Sequence, residues 1–227
     1  MAGKLIVFEG VEGSGKTTQI QRSHQWLQTT FPTRAKVIVT REPGDTRLGR
    51  SLRQLLLANT TQQQQIHSQE GKLIFDDSPP ISELAELLLY AADRAQHVEE
   101  VLKPNLANGA TILCDRYTDS TIAYQGYGRG LDRKIIDQLN TLATGGLEST
   151  LTLWLDVDVE ISLLRIKSRG ESDRIEQASL AFHRRVQAGY SELAKAYPDR
   201  IKRVDASLSE VALQAQIQDI LLKYLAN

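Results

Sequence analysis

The sequence predicts a three-layer α/β fold in which helices cover both faces of a central parallel sheet. Five short apolar runs, rich in β-branched residues, are separated by longer segments with helical spacing. Strands that are apolar at consecutive positions are buried on both faces, which is typical of parallel sheets. The runs lie at Leu5–Phe8, Val37–Val39, Thr111–Leu113, Leu151–Leu155 and Ile201–Val204. We therefore expect a five-stranded parallel sheet flanked by helices, in a single domain that spans residues 1–227.

The first strand leads directly into a glycine-rich loop. Residues 10–17 read GVEGSGKT and match G-x-x-x-x-G-K-[ST], the phosphate-binding motif of P-loop NTPases. Its glycines let backbone N–H groups converge on phosphate oxygens at a helix N-terminus, while Lys16 adds a cation and the Thr17 hydroxyl can bind Mg²⁺. We predict that a nucleoside triphosphate is bound by Gly10, Val11, Glu12, Gly13, Ser14, Gly15, Lys16, Thr17 and Thr18.

The third predicted strand continues through Ala110–Cys114 and is followed by Asp115. In parallel sheets, ligands gather at the carboxyl ends of the strands, so Asp115 should face the phosphate-binding loop and hold Mg²⁺, directly or through water. An aspartate at the end of a strand can also be a simple cap or turn residue. Beside this loop, we favour the metal role.

The segments between the strands carry helical spacing. Helices are predicted at Ile81–Leu102, with Ser82 as its cap and Pro104 as its end, from about Asp173 to Tyr197, and from about Ser209 to Leu225. The polar stretch Asn59–Pro80 lacks this spacing. We interpret it as an exposed excursion between two helices, with a binding role as the alternative.

The composition of the whole chain excludes several classes of partner. The 227 residues contain 27 Lys and Arg against 28 Asp and Glu, and a net charge of −1 gives no general attraction to nucleic acid or to an anionic membrane. The single cysteine, Cys114, cannot form an internal disulfide bond. The start, MAGKLIVFEG, lacks the apolar core of a secretory signal, and no apolar run reaches the roughly 20 residues of a membrane span. We expect a cytoplasmic protein that binds neither nucleic acid nor membranes.

Several arginines occupy positions that suit phosphoryl transfer, a reaction catalysed mainly by positioning and by neutralising charge. Arg41 and Arg116 follow strands, Arg94 lies on the long helix, and Arg165, Arg169 and Arg174 cluster late in the chain. Any one of them could equally be a surface or salt-bridging residue. The position directly after a strand favours a functional role for Arg41 and Arg116.

Together, these motifs resemble thymidylate kinases, which are P-loop nucleoside monophosphate kinases. The matching segments follow the family order and lie at residues 8–18, 40–44, 90–97, 115–126 and 173–176. The resemblance implies phosphorylation of dTMP to dTDP by ATP and Mg²⁺, on the route to dTTP for DNA synthesis. It also implies a homodimer. The helix Ile81–Leu102 is one candidate for the face between the subunits.

The resemblance also implies a role for individual residues on the dTMP side. Glu12 would accept a hydrogen bond from the 3′-hydroxyl, and Arg41, Arg94 and Arg116 would bind the 5′-phosphate. Pro43 would follow a cis peptide bond. Tyr90 would stack on thymine, Thr121 and Gln125 would bond the base edges, and Tyr124 would lie against the sugar and exclude a 2′-hydroxyl.

Residues from about 165 to 176 resemble the lid that closes over ATP in this family. Some members carry a catalytic arginine in the phosphate-binding loop, whereas others have glycine there and supply the arginine from the lid. Gly13 follows Glu12 here, so the chain resembles the second group. The catalytic residues implied are Lys16, Arg116 and one of Arg169 and Arg174, between which the sequence does not decide.

Two other functions stay open on sequence alone. A kinase of the same fold could act on another monophosphate, such as dUMP. A GTP-dependent switch is the alternative from a different class, but the chain has no Asn-Lys-x-Asp string for reading guanine. The arginines would also lack a purpose in such a switch.

Overall fold

The structure, a computed structural model, describes residues 3–31, 36–57, 80–170 and 173–225. It contains one sheet of five parallel strands in the order β2-β3-β1-β4-β5. The strands are β1 Lys4–Glu9, β2 Val37–Arg41, β3 Thr111–Asp115, β4 Leu151–Asp156 and β5 Ile201–Asp205. The predicted parallel sheet is therefore confirmed, and each apolar run found in the sequence lies within a strand.

Both faces of the central strand β1 are buried. Leu5 and Val7 pack into one hydrophobic cluster, whereas Ile6 and Phe8 pack into a second and larger one. Successive side chains of a strand point to opposite faces, so the two clusters lie on opposite sides of the sheet. This arrangement explains why the strand is apolar at consecutive positions instead of alternating with polar residues.

Helices and two π-helical turns surround the sheet. The helices are α1 Lys16–Thr30, α2 Arg47–Leu57, α3 Glu83–His97, α4 Lys103–Ala107, α5 Thr118–Thr121, α6 Arg133–Thr144, α7 Val159–Arg169, α8 Leu180–Ala196 and α9 Glu210–Leu225. The π-helical turns are Val98–Leu102 and Ile122–Gly128. Within the described ranges, no helix is both long and apolar enough to cross a membrane.

The long helix begins as predicted but does not end as predicted. Ser82 caps α3, and its Oγ accepts a hydrogen bond from the N–H of Ala85 at 3.3 Å. Pro104, expected to stop the helix, instead lies in the first turn of α4. The prediction was wrong because a proline is tolerated in a first helical turn, where no intrahelical donor is needed, and the preceding π-helical turn begins a new segment.

The helix expected from Asp173 begins later, at Leu180. Asp173 Oδ1 accepts hydrogen bonds from the N–H groups of Ile175 and Glu176, both at 2.9 Å, which closes a separate turn. Ser179 then caps α8 through the N–H of Phe182 at 3.2 Å. The last helix is confirmed as α9. The predicted polar excursion lies outside the described residues, apart from Pro80.

The sheet brings the carboxyl ends of three strands to one edge. In the parallel register, Asp115 of β3 lies beside both Phe8 of β1 and Arg41 of β2. The loop after β1, the turn after β2 and the residues after β3 therefore meet above the same edge.

Candidate active site

A cavity of about 530 Å³ opens at this edge of the sheet. Its walls come from the phosphate-binding loop, the turn after β2, α3, the segment after β3 and the lid. It brings together most of the predicted site residues: Glu12, Gly13, Gly15, Lys16, Thr17, Thr18, Arg41, Pro43, Tyr90, Arg94, Asp115, Arg116, Thr121, Tyr124, Gln125 and Arg169. Gly10, Val11, Ser14 and Arg174 are not part of its lining.

Three of the four residues outside the lining, Gly10, Val11 and Ser14, accept hydrogen bonds from Lys16. Lys16 Nζ donates hydrogen bonds to the carbonyl oxygens of Gly10 at 3.1 Å and Val11 at 3.0 Å, and to Ser14 Oγ at 3.4 Å. Burial, followed by the nearby charge of Arg116, lowers the pKa of the Lys16 ammonium. The lysine is thus held inside its own loop by neutral oxygens.

Gly13 cannot be replaced by a residue with a side chain without a rearrangement. Its φ of +74° is left-handed, and a Cβ there would lie 2.5 Å from the carbonyl oxygen of Ser162 on α7. The Ser162 hydroxyl also donates to the Glu12 carbonyl oxygen. An arginine at this loop position is therefore excluded.

Thr17 and Asp115 lie together as a magnesium site requires. Thr17 Oγ1 donates to Asp115 Oδ2 at 3.3 Å, and Asp115 Oδ1 is buried with no hydrogen-bond partner in the described part of the chain. Hydroxyl and carboxylate oxygens are ligands that Mg²⁺ prefers. The described residues contain no cluster of three or more His, Cys, Asp or Glu side chains that could hold a metal unaided. The site therefore fits an ion whose other ligands come from nucleotide phosphates and water.

Arg116 and Glu12 form an ion pair across the floor of the cavity. Arg116 adopts a left-handed backbone conformation with φ of 73°, uncommon for a residue with a side chain. Its Nη2 lies 2.5 Å from Glu12 Oε1. Burial opposes ionisation of Glu12, but the charges of Arg116, Lys16 and Arg53 outweigh it and lower the Glu12 pKa to about 2. Glu12 is therefore an ionised hydrogen-bond acceptor at neutral pH.

Glu9, which the sequence reasoning assigned no role, lies beneath this pair. It is fully buried and accepts hydrogen bonds from Tyr117 N at 2.8 Å, Ser120 Oγ at 2.5 Å and Tyr190 OH at 2.8 Å. Burial raises the pKa of its carboxyl group to about 7. An acidic residue at the end of an apolar strand was the signal available in the sequence.

Arg94 is a buried brace in the wall of the cavity. Its Nε donates to Glu42 Oε2 at 2.9 Å, and its two Nη groups donate to Thr121, Asn140 and the Tyr117 carbonyl oxygen at 2.7–3.0 Å. Glu42 also lies 2.8 Å from His97 Nδ1 and precedes Pro43 in a cis peptide, as the resemblance implied. Most of the Arg94 donors are thus already used.

Arg53 is a second residue that sequence reasoning missed. It lines the cavity from α2, and its Nη1 donates to the Pro43 carbonyl oxygen at 2.9 Å. Burial and the neighbouring charge of Arg41 lower the pKa of its guanidinium group. Arg41 itself is exposed, and its side chain makes no hydrogen bond or ion pair among the described residues. Two guanidinium groups thus converge on one part of the cavity, which suits an anionic ligand.

The two candidate lid arginines occupy different environments. The Arg169 side chain is 60% exposed and pairs with Glu176 at the rim of the cavity. Arg174 is 21% exposed, donates to the Leu56 carbonyl oxygen at 2.9 Å, and pairs with Glu86 of α3 at 2.5 Å. Arg174 therefore anchors the lid to α2 and α3, whereas Arg169 faces the cavity.

Comparisons with known proteins agree with this geometry. A family model described as thymidylate kinase matches residues 8–217. The thymidylate kinase of Nostoc punctiforme is 58% identical over 226 residues, which cover 99% of this chain and 98% of that protein. The thymidylate kinase of Trichodesmium erythraeum is 53% identical over 237 residues, covering 100% and 98%. A crystal structure of thymidylate kinase from Ehrlichia chaffeensis has a TM-score of 0.71 at 31% identity, covering 97% of this chain and 99% of that one.

Proposed function

This chain belongs to the thymidylate kinase family, and we propose that it transfers the γ-phosphoryl group of ATP to dTMP, giving dTDP on the route to dTTP. The observation that carries the proposal is one cavity in which a phosphate-binding loop faces converging arginines and an ionised glutamate. An attacking 5′-phosphate oxygen is already deprotonated. Catalysis is then a matter of positioning and charge neutralisation.

The donor half of the proposal rests on the phosphate-binding loop. The loop N–H groups and Lys16 bind the ATP phosphates, while Thr17 and Asp115 hold Mg²⁺, whose chemistry is to neutralise charge on the phosphate oxygens. The unpartnered Asp115 Oδ1 and its neighbour Thr17 support this assignment.

The acceptor half rests on the opposite wall. Arg41, Arg53 and Arg116 bind the 5′-phosphate, and Glu12 accepts a hydrogen bond from the 3′-hydroxyl of the sugar. The convergence of Arg41 and Arg53, together with the low Glu12 pKa, supports these roles. Most N–H groups of the Arg94 guanidinium donate to protein acceptors, so Arg94 acts mainly by holding Glu42 and Thr121 in place. Its remaining Nη2 donor is available to dTMP. Tyr90, Thr121, Tyr124 and Gln125 receive the base and the sugar.

Arg169 is the lid residue that we assign to the transferred phosphoryl group. It is exposed beside the cavity and its guanidinium group is paired with one carboxylate, that of Glu176, so lid closure can release it toward ATP. Arg174 is committed to Glu86 and Leu56. The exclusion of a side chain at Gly13 adds support, because the loop then cannot supply a catalytic arginine at that position.

Steady-state assays of ATP-dependent phosphorylation test the substrate. We expect the kcat/KM for dTMP to exceed the values for dUMP, UMP and AMP, and Lys16→Ala to lose at least about 1000-fold of it, since Lys16 acts on the reacting phosphates. Lys195→Ala removes the same charge from a 70% exposed side chain outside this cavity and is the matched control. A preference for UMP or AMP, or an active Lys16→Ala enzyme, would overturn the proposal.

A homodimer that acts in the cytoplasm completes the proposal. The outer faces of α3 and α6, which pack side by side, carry Leu84, Leu88 and Leu142 at 53%, 48% and 80% exposure. Exposed leucines on two adjacent helices suit a subunit interface. Analytical ultracentrifugation should give a dimer for the natural chain and a monomer for Leu88→Lys. Leu164→Lys, at an exposed leucine of α7, should remain dimeric, and a monomeric natural chain would contradict the proposal.

A further inference from the structure

Glu86 is a buried carboxylate that does not line the cavity but touches a residue that does. It lies on α3, one helical turn before Tyr90, and is 1% exposed. Its Oε1 accepts hydrogen bonds from Gln125 Nε2 at 2.9 Å and Arg129 Nε at 3.3 Å. Its Oε2 accepts from Arg129 Nη2 at 3.2 Å and Arg174 Nη2 at 2.5 Å. Both carboxylate oxygens are therefore occupied by donors.

These contacts keep Glu86 ionised. Burial alone would favour the neutral acid, but hydrogen bonds from Gln125 and Arg174 and the charge of Arg129 lower the Glu86 pKa below its usual value. An ionised carboxylate can only accept hydrogen bonds. It therefore requires an N–H group from every neighbour, including Gln125.

This requirement fixes which way the Gln125 carboxamide points. Nε2 must face Glu86, because a flipped amide would place Oε1 against a negative oxygen and leave buried acceptors without donors. Gln125 is 3% exposed yet lines the cavity, and it is the only carboxamide among the described residues that do so. The remaining Gln125 acceptor, Oε1, and its second N–H are thus held in one arrangement.

The pyrimidine bases of the possible nucleotide substrates differ in the hydrogen-bond donors and acceptors that they present to such an amide. Thymine presents the N3–H donor beside the O4 acceptor, whereas cytosine presents the N3 acceptor beside the N4 amino donor. A carboxamide matches either pattern, but only in opposite orientations. We propose that Glu86 is a positioning residue that makes the cavity select thymine over cytosine, by holding Gln125 in the orientation complementary to N3–H and O4.

This inference rests on the proposed phosphorylation of dTMP and is tested with a matched acceptor. The nucleotide 5-methyl-dCMP differs from dTMP only at positions 3 and 4 of the base, so the ratio of the two kcat/KM values reports the reading of that edge. If the natural enzyme fails to phosphorylate dTMP, the proposed function fails. The ratio of the two kcat/KM values in the variants tests only the proposed role of Glu86, whether it changes or not.

Glu86→Gln is the decisive variant. Its neutral amide can donate to Gln125 Oε1, so Gln125 is free to turn over and accept cytosine. We expect the dTMP to 5-methyl-dCMP ratio to fall about tenfold or more, because a bidentate base contact discriminates by about 1–3 kcal/mol. Glu83→Gln removes the same charge from an exposed position of the same helix and should leave the ratio unchanged.

Gln125→Ala makes the test independent of how well Glu86→Gln folds. This substitution alone should lower the ratio of kcat/KM for dTMP to that for 5-methyl-dCMP, because it removes the carboxamide that contacts positions 3 and 4 of the base. In the Gln125→Ala background, Glu86→Gln should then change the ratio no further. The inference is overturned if folded and active Glu86→Gln keeps the natural ratio, if Gln125→Ala keeps it, or if the two effects simply add.

Discussion

The two ends of the cavity differ in how far their charged groups are already paired within the protein. At the nucleoside end, Glu86 and Arg94 are buried and have nearly all their hydrogen-bonding groups occupied by protein partners. At the phosphate end, Arg41 has no side-chain partner among the described residues, Asp115 Oδ1 is orphaned, and Arg169 is 60% exposed.

This difference indicates which end of the cavity is preorganised before ligands bind. Buried charges are stable only with close partners, so the nucleoside end has to be complete in the folded chain. The phosphate end leaves Arg41 and Asp115 Oδ1 without protein partners among the described residues, so these two groups remain for the ligand phosphates and their metal ion. The base is thus recognised by a preorganised wall, whereas the phosphates complete their own site.

The largest effect expected from this comparison lies in the lid. Arg169→Ala should lower kcat about 100–1000-fold, as loss of a donor to transition-state charge does, with little change in the KM for dTMP. Arg174→Ala should lower kcat less than about tenfold but reduce the free energy of unfolding, since it leaves Glu86 with fewer donors. Steady-state kinetics and thermal denaturation of both variants separate the two roles.

Arg184→Ala is a suitable control for both lid variants. Arg184 is a 59% exposed arginine of α8 that pairs with Glu160 at the surface, so its removal should leave both kcat and stability nearly unchanged. Equal losses of kcat in Arg169→Ala and Arg174→Ala would show that the two ends of the lid do not differ as described.

The fold could be predicted from the sequence because its signals are local. The strands follow from runs of apolar residues, and the loop from a motif with fixed spacing. The ends of the helices were predicted less accurately than the strands. Pro104 lies inside a first helical turn, and two successive caps, Asp173 and Ser179, separate a short turn from α8 where the sequence predicted one helix.

Site residues could be predicted from the sequence where their position in a motif determines their position in the fold. Thr17 and Asp115 meet because a loop and a strand end share one edge of the sheet. The partners of Glu9, Glu42 and Glu86 come from segments far apart in the chain, so no spacing could identify them. For the same reason, the sequence could not separate Arg169 from Arg174, whose difference is a contact with Glu86.

A smaller effect is expected at two glutamates that both lie close to Arg116, Glu9 and Glu12. The folded chain raises the Glu9 pKa from 4.5 to about 7 by burial, so folded Glu9 binds its proton more tightly than the unfolded chain does. The stability that this proton binding contributes is full below about pH 4.5 and is lost as the pH rises through 7. For Glu12, whose pKa is lowered to about 2, the contribution is present above about pH 4.5 and is lost as the pH falls.

Urea denaturation at pH 5, 6, 7 and 8 can read this difference directly. The free energy of unfolding of the natural protein should fall relative to Glu9→Gln as the pH rises, by up to about 3 kcal/mol, because only the natural residue must carry a buried charge at high pH. Relative to Glu12→Gln, the natural protein should show no such fall across this range, since Glu12 is ionised throughout. A constant difference between the natural protein and Glu9→Gln from pH 5 to pH 8 would mean that Glu9 stays ionised in the folded chain, held by its hydrogen-bond donors and Arg116 in the way that the nucleoside end holds Glu86.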